Sequence, residues 1–310
     1  MDTGVGVTDN EALGHLPERK RRELSRALKI IFEEFDAAQQ SKLSEKQKAG
    51  RILKVILFGS YSRGGWVEDH KSGYRSDYDI LVVVNMHSVG EENELWHDVS
   101  DHFLRELLVT KTIETPVNVI VHTLQDVNDQ LARGKPFFID IVRDGIMLYE
   151  KDGHPFVAPK PLSEDEARKE AQAYFQRWFA LSADAFELAS IAIERRIWCD
   201  GAFMLHQATE RLYHCVLLVL TLYSPKSHRL KSLRSSAERL EPRLIEAWPR
   251  DTKFARRCFE RLDRAYVDAR YSPHYEITDE ELQWLVERIQ VLQGLVEQVC
   301  KEALATKASS

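Results

Sequence analysis

A hydrophobic run, Ile52-Leu53-Lys54-Val55-Ile56-Leu57-Phe58, stops abruptly at Gly59-Ser60, and a second run is entered through Asp77-Tyr78-Asp79. Gly59 lets the backbone turn closely at the end of the first run. The amides around Ser60 and its hydroxyl then suit phosphate oxygens, as at a helix N-terminus, with Arg63 adding charge. Side chains along a strand repeat with period two, so Asp77 and Asp79 share one face a few ångströms apart. Carboxylates aimed together repel unless a cation lies between them. Mg²⁺, a hard ion that keeps water and also binds phosphates, suits such a pair.

Alternating strands and helices are needed to position these groups. Arg51 to Phe58, Asp79 to Val84 and Pro116 to Val121 read as strands, and Gly145 to Tyr149 as an edge strand. Apolar residues at helical spacing predict helices from Pro17 to Gln40, from about Glu91 to Leu108, and around Asp126 to Arg133. The insertion Trp66 to Arg75 reads as a flap. Lys151 to Pro161, rich in proline and glycine, reads as a linker, and everything after it as helix. Ser163 with Glu166 and Thr278 with Glu281 are capping boxes that open helices to about Arg195 and Ala305. Three further helices are expected, from Ala202 to Leu222, Ser227 to Arg239 and Lys253 to Arg270. The expected class is α+β. An α/β domain with a small mixed sheet spans 1–150, a linker 151–162 and an all-α bundle 163–305.

The 310 residues suit two domains, at about 150 residues each. A hydrophobic share of 44%, a charged share of 30% and a net charge of −6 describe an ordinary globular chain, not one coated in base for nucleic acid. Lys226, Arg229, Lys231, Arg234 and Arg239 against Glu238 alone form a local basic stripe, readable as a solvated face or a phosphate-contacting surface. Cys199, Cys215, Cys258 and Cys300 form no C-x-x-C pair and read as reduced thiols. His206, His214 and His228 lack zinc-ligand spacing. Neither a signal peptide nor a membrane-length apolar run is legible, and the expectation is a cytoplasmic protein with no membrane partner.

Together, strand, G-S turn and D-x-D opening a second strand resemble the signature of the polymerase β superfamily of nucleotidyltransferases. The resemblance implies that Gly59 and Ser60 hold a triphosphate, with Arg63 beside them, and that Asp77 and Asp79 bind Mg²⁺. A nucleoside monophosphate, from ATP or another NTP, would pass to a hydroxyl with release of pyrophosphate. The family usually carries a third carboxylate on the next strand, where this chain has Asn118. An amide orients a water or hydroxyl but cannot accept its proton, and general-base help is worth about 10²- to 10⁴-fold, so slower transfer is expected. Glu114 and Asp126 are the alternative carboxylates.

Ala202 to Tyr213, including His206, Gln207, Glu210 and Arg211, resembles the first signature helix of HEPN (higher eukaryotes and prokaryotes nucleotide-binding) domains, and Ser224 to Leu233 the turn and helix that follow. The domain order resembles bacterial nucleotidyltransferase–HEPN fusions, over about Arg51 to Cys300. That resemblance implies a homodimer through the helical domain and a toxin–antitoxin or defence role, with a protein or RNA hydroxyl as acceptor. Alternatives are an aminoglycoside-type small-molecule transferase, which Asn118 disfavours, and a non-catalytic nucleotide sensor. Many HEPN domains are metal-independent ribonucleases using an arginine and a histidine. The matching positions are Arg270 and His274, but Pro273 interrupts the helix and Tyr275 stands where the motif wants histidine. Arg270 is therefore read first as a nucleotide or phosphate contact. In related two-part systems a tyrosine near this motif receives AMP, which makes Tyr271 and Tyr275 candidate acceptors.

Overall fold

The computed structural model describes residues 11–40, 49–69, 74–90, 93–225 and 227–306. It divides into two compact units, 1–161 and 162–310.

In the first unit, helix α1 (Glu18–Gln40) turns Leu24, Ala27, Leu28 and Ile31 into the core. Strand β1 (Ile52–Phe58) is buried on both faces, which is why its sequence, apart from Lys54, is apolar with no alternation. A short hairpin follows, β2 (Glu68–Asp69) with β3 (Tyr74–Arg75), and then β4 (Tyr78–Val84), again buried throughout. Helices α2 (His87–Gly90) and α3 (Asn93–Arg105), with a π-helical turn at Glu106–Thr110, make the crossover to β5 (Val117–Thr123). Such a crossover is required because β4 and β5 are parallel. Helices α4 (Leu124–Ala132) and α5 (Pro136–Asp144) lead to the edge strand β6 (Ile146–Glu150). The sheet is mixed, in the order β5-β4-β1-β6, with β1 antiparallel to both its neighbours. Helix α5 has no counterpart in the sequence reading.

The stretch read as a linker is held to this unit. Lys151 N donates to Leu53 O, Val157 N to Asn128 Oδ1 and Lys160 N to Leu131 O, while Phe156 covers the buried Lys54. Its prolines and glycine shape an extended strap.

The second unit is a bundle of α6 (Glu164–Glu194), α7 (Trp198–Thr221), α8 (Leu230–Leu240), α9 (Lys253–Tyr271) and α10 (Asp279–Thr306), with a 3₁₀ turn at Pro242–Ala247. Helix α7 is the hub, packed against all four other helices and buried nearly all round. It begins four residues before the expected start, running through Gly201, where a Cβ would lie 2.8 Å from Ile193 Cγ1. Ser163 and Glu166 form the expected capping box, as do Thr278 and Glu281. Among the described residues no helix is long and apolar enough to cross a membrane.

Candidate functional site

Strand register assembles the site of the first unit. Phe58 lies opposite Asp79, and Asp79 opposite Asn118, so the G-S turn, the second aspartate and Asn118 meet at one end of the sheet. Asp79 is only 5% exposed. Its Oδ1 accepts from Asn118 Nδ2 at 3.1 Å, and its Oδ2 faces Gly59, where an added Cβ would come within 2.6 Å. Gly59 also has φ +80°, so glycine is required there for both conformation and space. Residues 59–64 are a turn that runs on to the hairpin, not a helix N-terminus as expected. The turn is closed by Gly65 N on Ser60 O and by Ser62 Oγ on Gly59 O.

Ser60 Oγ is buried without a hydrogen-bond partner among the described residues. A buried hydroxyl left unmatched costs about 1–3 kcal/mol, so Ser60, next in the chain to Gly59, is a group that a polar ligand would satisfy. Asp77 sits just before β4, half-buried. Tyr78, between the aspartates, points into α1, where its hydroxyl donates to Glu23 Oε2 at 3.1 Å. Arg63 is exposed, and its charge helps, after the Arg143 contact, to hold the Asp144 carboxyl below the usual range.

The alternative carboxylates are committed elsewhere. Glu114 pairs with Arg19 at 3.2 Å. Asp126 closes the capping box of α4 beyond the far end of β5, at the opposite end of the strands from Asp79. The insertion supplies the hairpin, and Ser76 ties its first arm to the D-x-D segment. Ser76 N donates to Val67 O and Ser76 Oγ accepts from Val67 N. The hairpin tip lies outside the described residues.

A second cluster forms in the helical unit around Glu210 of α7. His228 Nδ1 lies 3.1 and 3.2 Å from its two oxygens, His206 Nε2 at 3.3 Å and His214 Nε2 at 3.8 Å. Burial works to raise the Glu210 pKa, but the imidazoles of His206 and His228 outweigh it and hold the carboxyl below its usual range. Burial lowers that of His214. His206 Nδ1 donates to Leu262 O at 2.9 Å. The His228 ring, 57% exposed, stacks on Tyr266 at 4.3 Å and 9°. Residues 175–299 match the family model of the HEPN domain. No curated protein matches the chain.

In the HEPN region Arg270 packs on aromatic rings, and His274 lies beyond the end of its helix. The Arg270 guanidinium lies over Phe203, Tyr266 and Tyr271, 4.5 Å from the Tyr266 ring centre, while its Nε donates to Tyr266 O. Helix α9 ends at Tyr271, so His274 sits in the following turn and does not share a helical face with Arg270. Tyr275 is turned inward, its hydroxyl donating to Arg261 O and its pKa pushed up by burial, whereas Tyr271 is 72% exposed. The basic stripe is largely paired internally. Arg234 is buried on Glu238, and Lys231 bonds Glu260 and Asp263, while Lys226 lies outside the described residues. Glu210 is legible as part of the signature helix, but its clustering with His206, His214 and His228, and the stacking of Tyr266 on His228, are not, because the three histidines have no metal-like spacing. Among the described residues, no group of three His, Cys, Asp or Glu is arranged to hold a metal.

Proposed function

We propose that the chain is a Mg²⁺-dependent nucleotidyltransferase that passes AMP from ATP to a hydroxyl of a protein or RNA, with the HEPN region binding nucleotide or acceptor. The observation that carries this reading is the Gly59 turn, packed against the Asp79 carboxylate and followed at once by Ser60, whose buried hydroxyl has no hydrogen-bond partner among the described residues. Asp77 and Asp79 would hold the metal, which when bound neutralises phosphate charge and orients the reacting oxygens. Ser60 and the turn amides bind phosphate oxygens. Asn118 fixes the Asp79 carboxylate through its 3.1 Å bond. Calorimetry tests this reading: MgATP binds the wild type and not the Asp77→Asn, Asp79→Asn double variant, and intact-mass spectrometry detects AMP on an acceptor. Equal affinity in both proteins would overturn it. A mass increase on the chain itself that Tyr271→Phe abolishes would place the acceptor at Tyr271, the exposed tyrosine of the pair.

The HEPN region favours a second reading through His228. Glu210 holds its Nδ1, leaving Nε2 as the outward nitrogen, and Arg270 lies against the same Tyr266 ring. In this reading His228 takes the proton of a ribose 2′-hydroxyl, whose oxygen attacks the adjacent phosphorus. The P–O5′ bond breaks, the leaving oxygen takes a proton from water, and Arg270 offsets the phosphate charge. RNA cleavage in EDTA that His228→Gln abolishes and His274→Gln leaves intact supports it. The opposite pattern would return the role to His274.

A further inference from the structure

The segments that carry the first unit's site all reach the same turn of α1 from behind. Because side chains alternate along β4, Asp79 faces the G-S turn while Tyr78 faces α1, where Lys20 and Glu23 are each only 3% exposed. Lys20 Nζ donates to Thr115 Oγ1 at 2.7 Å, and Thr115 Oγ1 donates to Glu23 Oε2 at 2.7 Å. Glu23 Oε2 also accepts from the Tyr78 hydroxyl. The ammonium of Lys20 pairs with Glu68 of the hairpin and lies over the rings of Tyr61, at 5.5 Å, and Tyr78, at 5.9 Å. Tyr61 is the residue after Ser60, Glu68 belongs to the insertion, Tyr78 separates the aspartates, and Thr115 precedes Asn118 on the approach to β5. One helical turn therefore touches each of the chain segments that bring a site residue.

Burying an ammonium and a carboxylate in this way adds little net stability compared with well-packed apolar side chains, because desolvation offsets the attraction. What such a pair does supply is geometry, since each bond fixes a direction that a hydrophobic contact leaves loose. Asp79 leaves little room for the turn to shift, since a Cβ at Gly59 would come within 2.6 Å of its Oδ2. A slip of the G-S turn relative to β4 would separate the phosphate-binding hydroxyl from the paired aspartates.

We propose that Lys20 and Glu23 are positioning residues that hold Ser60, the Asp77–Asp79 pair and Asn118 in register, so that a nucleoside triphosphate and its metal meet a preformed site. This rests on the nucleotidyltransferase reading for its ligand, but the mechanical coupling is independent of it. Hydrogen exchange read by mass spectrometry on the full chain tests the coupling, with MgATP calorimetry as the second arm. Lys20→Met and Glu23→Gln are expected to speed exchange in 59–67 and 76–79 together while leaving β6 unchanged. They should weaken MgATP binding roughly 10- to 100-fold, as loss of residues that orient ligating groups does elsewhere, with Lys20→Arg recovering most of it. Lys29→Met, on an exposed face of the same helix, should change neither. If Lys20→Met fails to fold, Glu68→Gln removes only the ion pair between Lys20 and the hairpin, keeps the Lys20–Thr115–Glu23 chain, and is read on 59–67 and the hairpin in the same way. Faster exchange confined to α1, or spread evenly through β6, would overturn the proposal. So would unchanged affinity in a folded variant of a wild type that binds. A wild type that binds no MgATP would defeat the nucleotide reading alone, and the exchange pattern would still decide the coupling.

Discussion

Each of the two candidate sites is built on one buried carboxylate, Asp79 in the sheet and Glu210 in the bundle, but they are surrounded differently. Asp79 is bonded by an amide, Asn118, which donates a proton without bringing charge. Glu210 is ringed by His206, His214 and His228, which bring donors and, when protonated, charge as well. A carboxylate steadied by a neutral donor keeps its attraction for a cation. One surrounded by imidazoles instead serves to orient them. The proposed metal-assisted phosphoryl chemistry draws on the first arrangement and the proposed histidine base on the second, and the two can be tested separately.

The largest expected effect lies at the sheet. Gly59→Val meets a left-handed φ that costs about 1–2 kcal/mol for a residue with a Cβ, and that Cβ falls 2.6 Å from Asp79 Oδ2. We expect MgATP binding to disappear in calorimetry while the circular dichroism of the helical unit is preserved. An unaltered affinity would mean that the turn and the carboxylate do not share a ligand. Asn118→Asp sharpens the same side of the comparison. It replaces the neutral donor with a second negative charge, so the metal-free protein should melt at a lower temperature and recover on adding Mg²⁺. If the missing third carboxylate limits transfer, the rate should rise by up to about 10²- to 10⁴-fold. A variant that neither loses stability without metal nor gains it with Mg²⁺ would show that no cation sits at Asp79.

The contrast also explains what was legible in the sequence. Residues 52–60 and 77–84 are legible as strands because register binds each motif to its neighbour over short spans, and a doubly buried strand is apolar along most of its length. The capping boxes at Ser163 and Thr278 were readable for the same reason, since each is complete within one helical turn. Lys20 and Thr115 meet across 95 residues, and no local pattern distinguishes a buried lysine from the solvated ones beside it in Glu18-Arg19-Lys20-Arg21-Arg22. Glu210 and Tyr266 are brought to the same two histidines, His206 and His228, only by tertiary packing. Helix α5 was missed because Pro136-Phe137-Phe138 opens it without a side-chain cap and it is short. The HEPN resemblance was placed by the α7 sequence, and its match at 175–299 covers the hub and its partners.

Assembly is a broader test of the helical side. A homodimer through the HEPN region predicts light scattering at twice the 35.9 kDa chain mass at micromolar concentration. The aromatic residues of α6 do not by themselves require a partner, because Tyr174, Phe175, Trp178, Phe179 and Phe186 pack against their own core. A monomer mass would count against the dimer without touching either carboxylate.

The smallest effect, and the one that isolates the bundle's carboxylate, is in pH. Burial lowers the pKa of His214 in the folded protein, whereas the unfolded chain takes up the same proton near the ordinary value of about 6.5. Between that value and the lower folded one, the unfolded state binds more protons, so stability rises with pH and is lost as pH falls below about 6.5. Glu210 acts in a lower window. Its folded pKa is also depressed, so its contribution is present above about 4.3 and is lost as pH falls through the folded value. His214→Gln keeps a polar side chain near Ser224, which His214 Nδ1 now contacts at 2.6 Å, but removes the titrating ring. In calorimetric melts from about pH 7.5 to about pH 5.5, the wild type should lose stability relative to the variant by a few degrees at most. The change should fall in the transition of the helical unit, because the titrating ring is buried among α6, α7 and the Glu210 cluster. A difference in melting temperature that stays constant across the range would mean that His214 is not held neutral by burial, and the contrast with the amide-bonded Asp79 would lose its electrostatic basis.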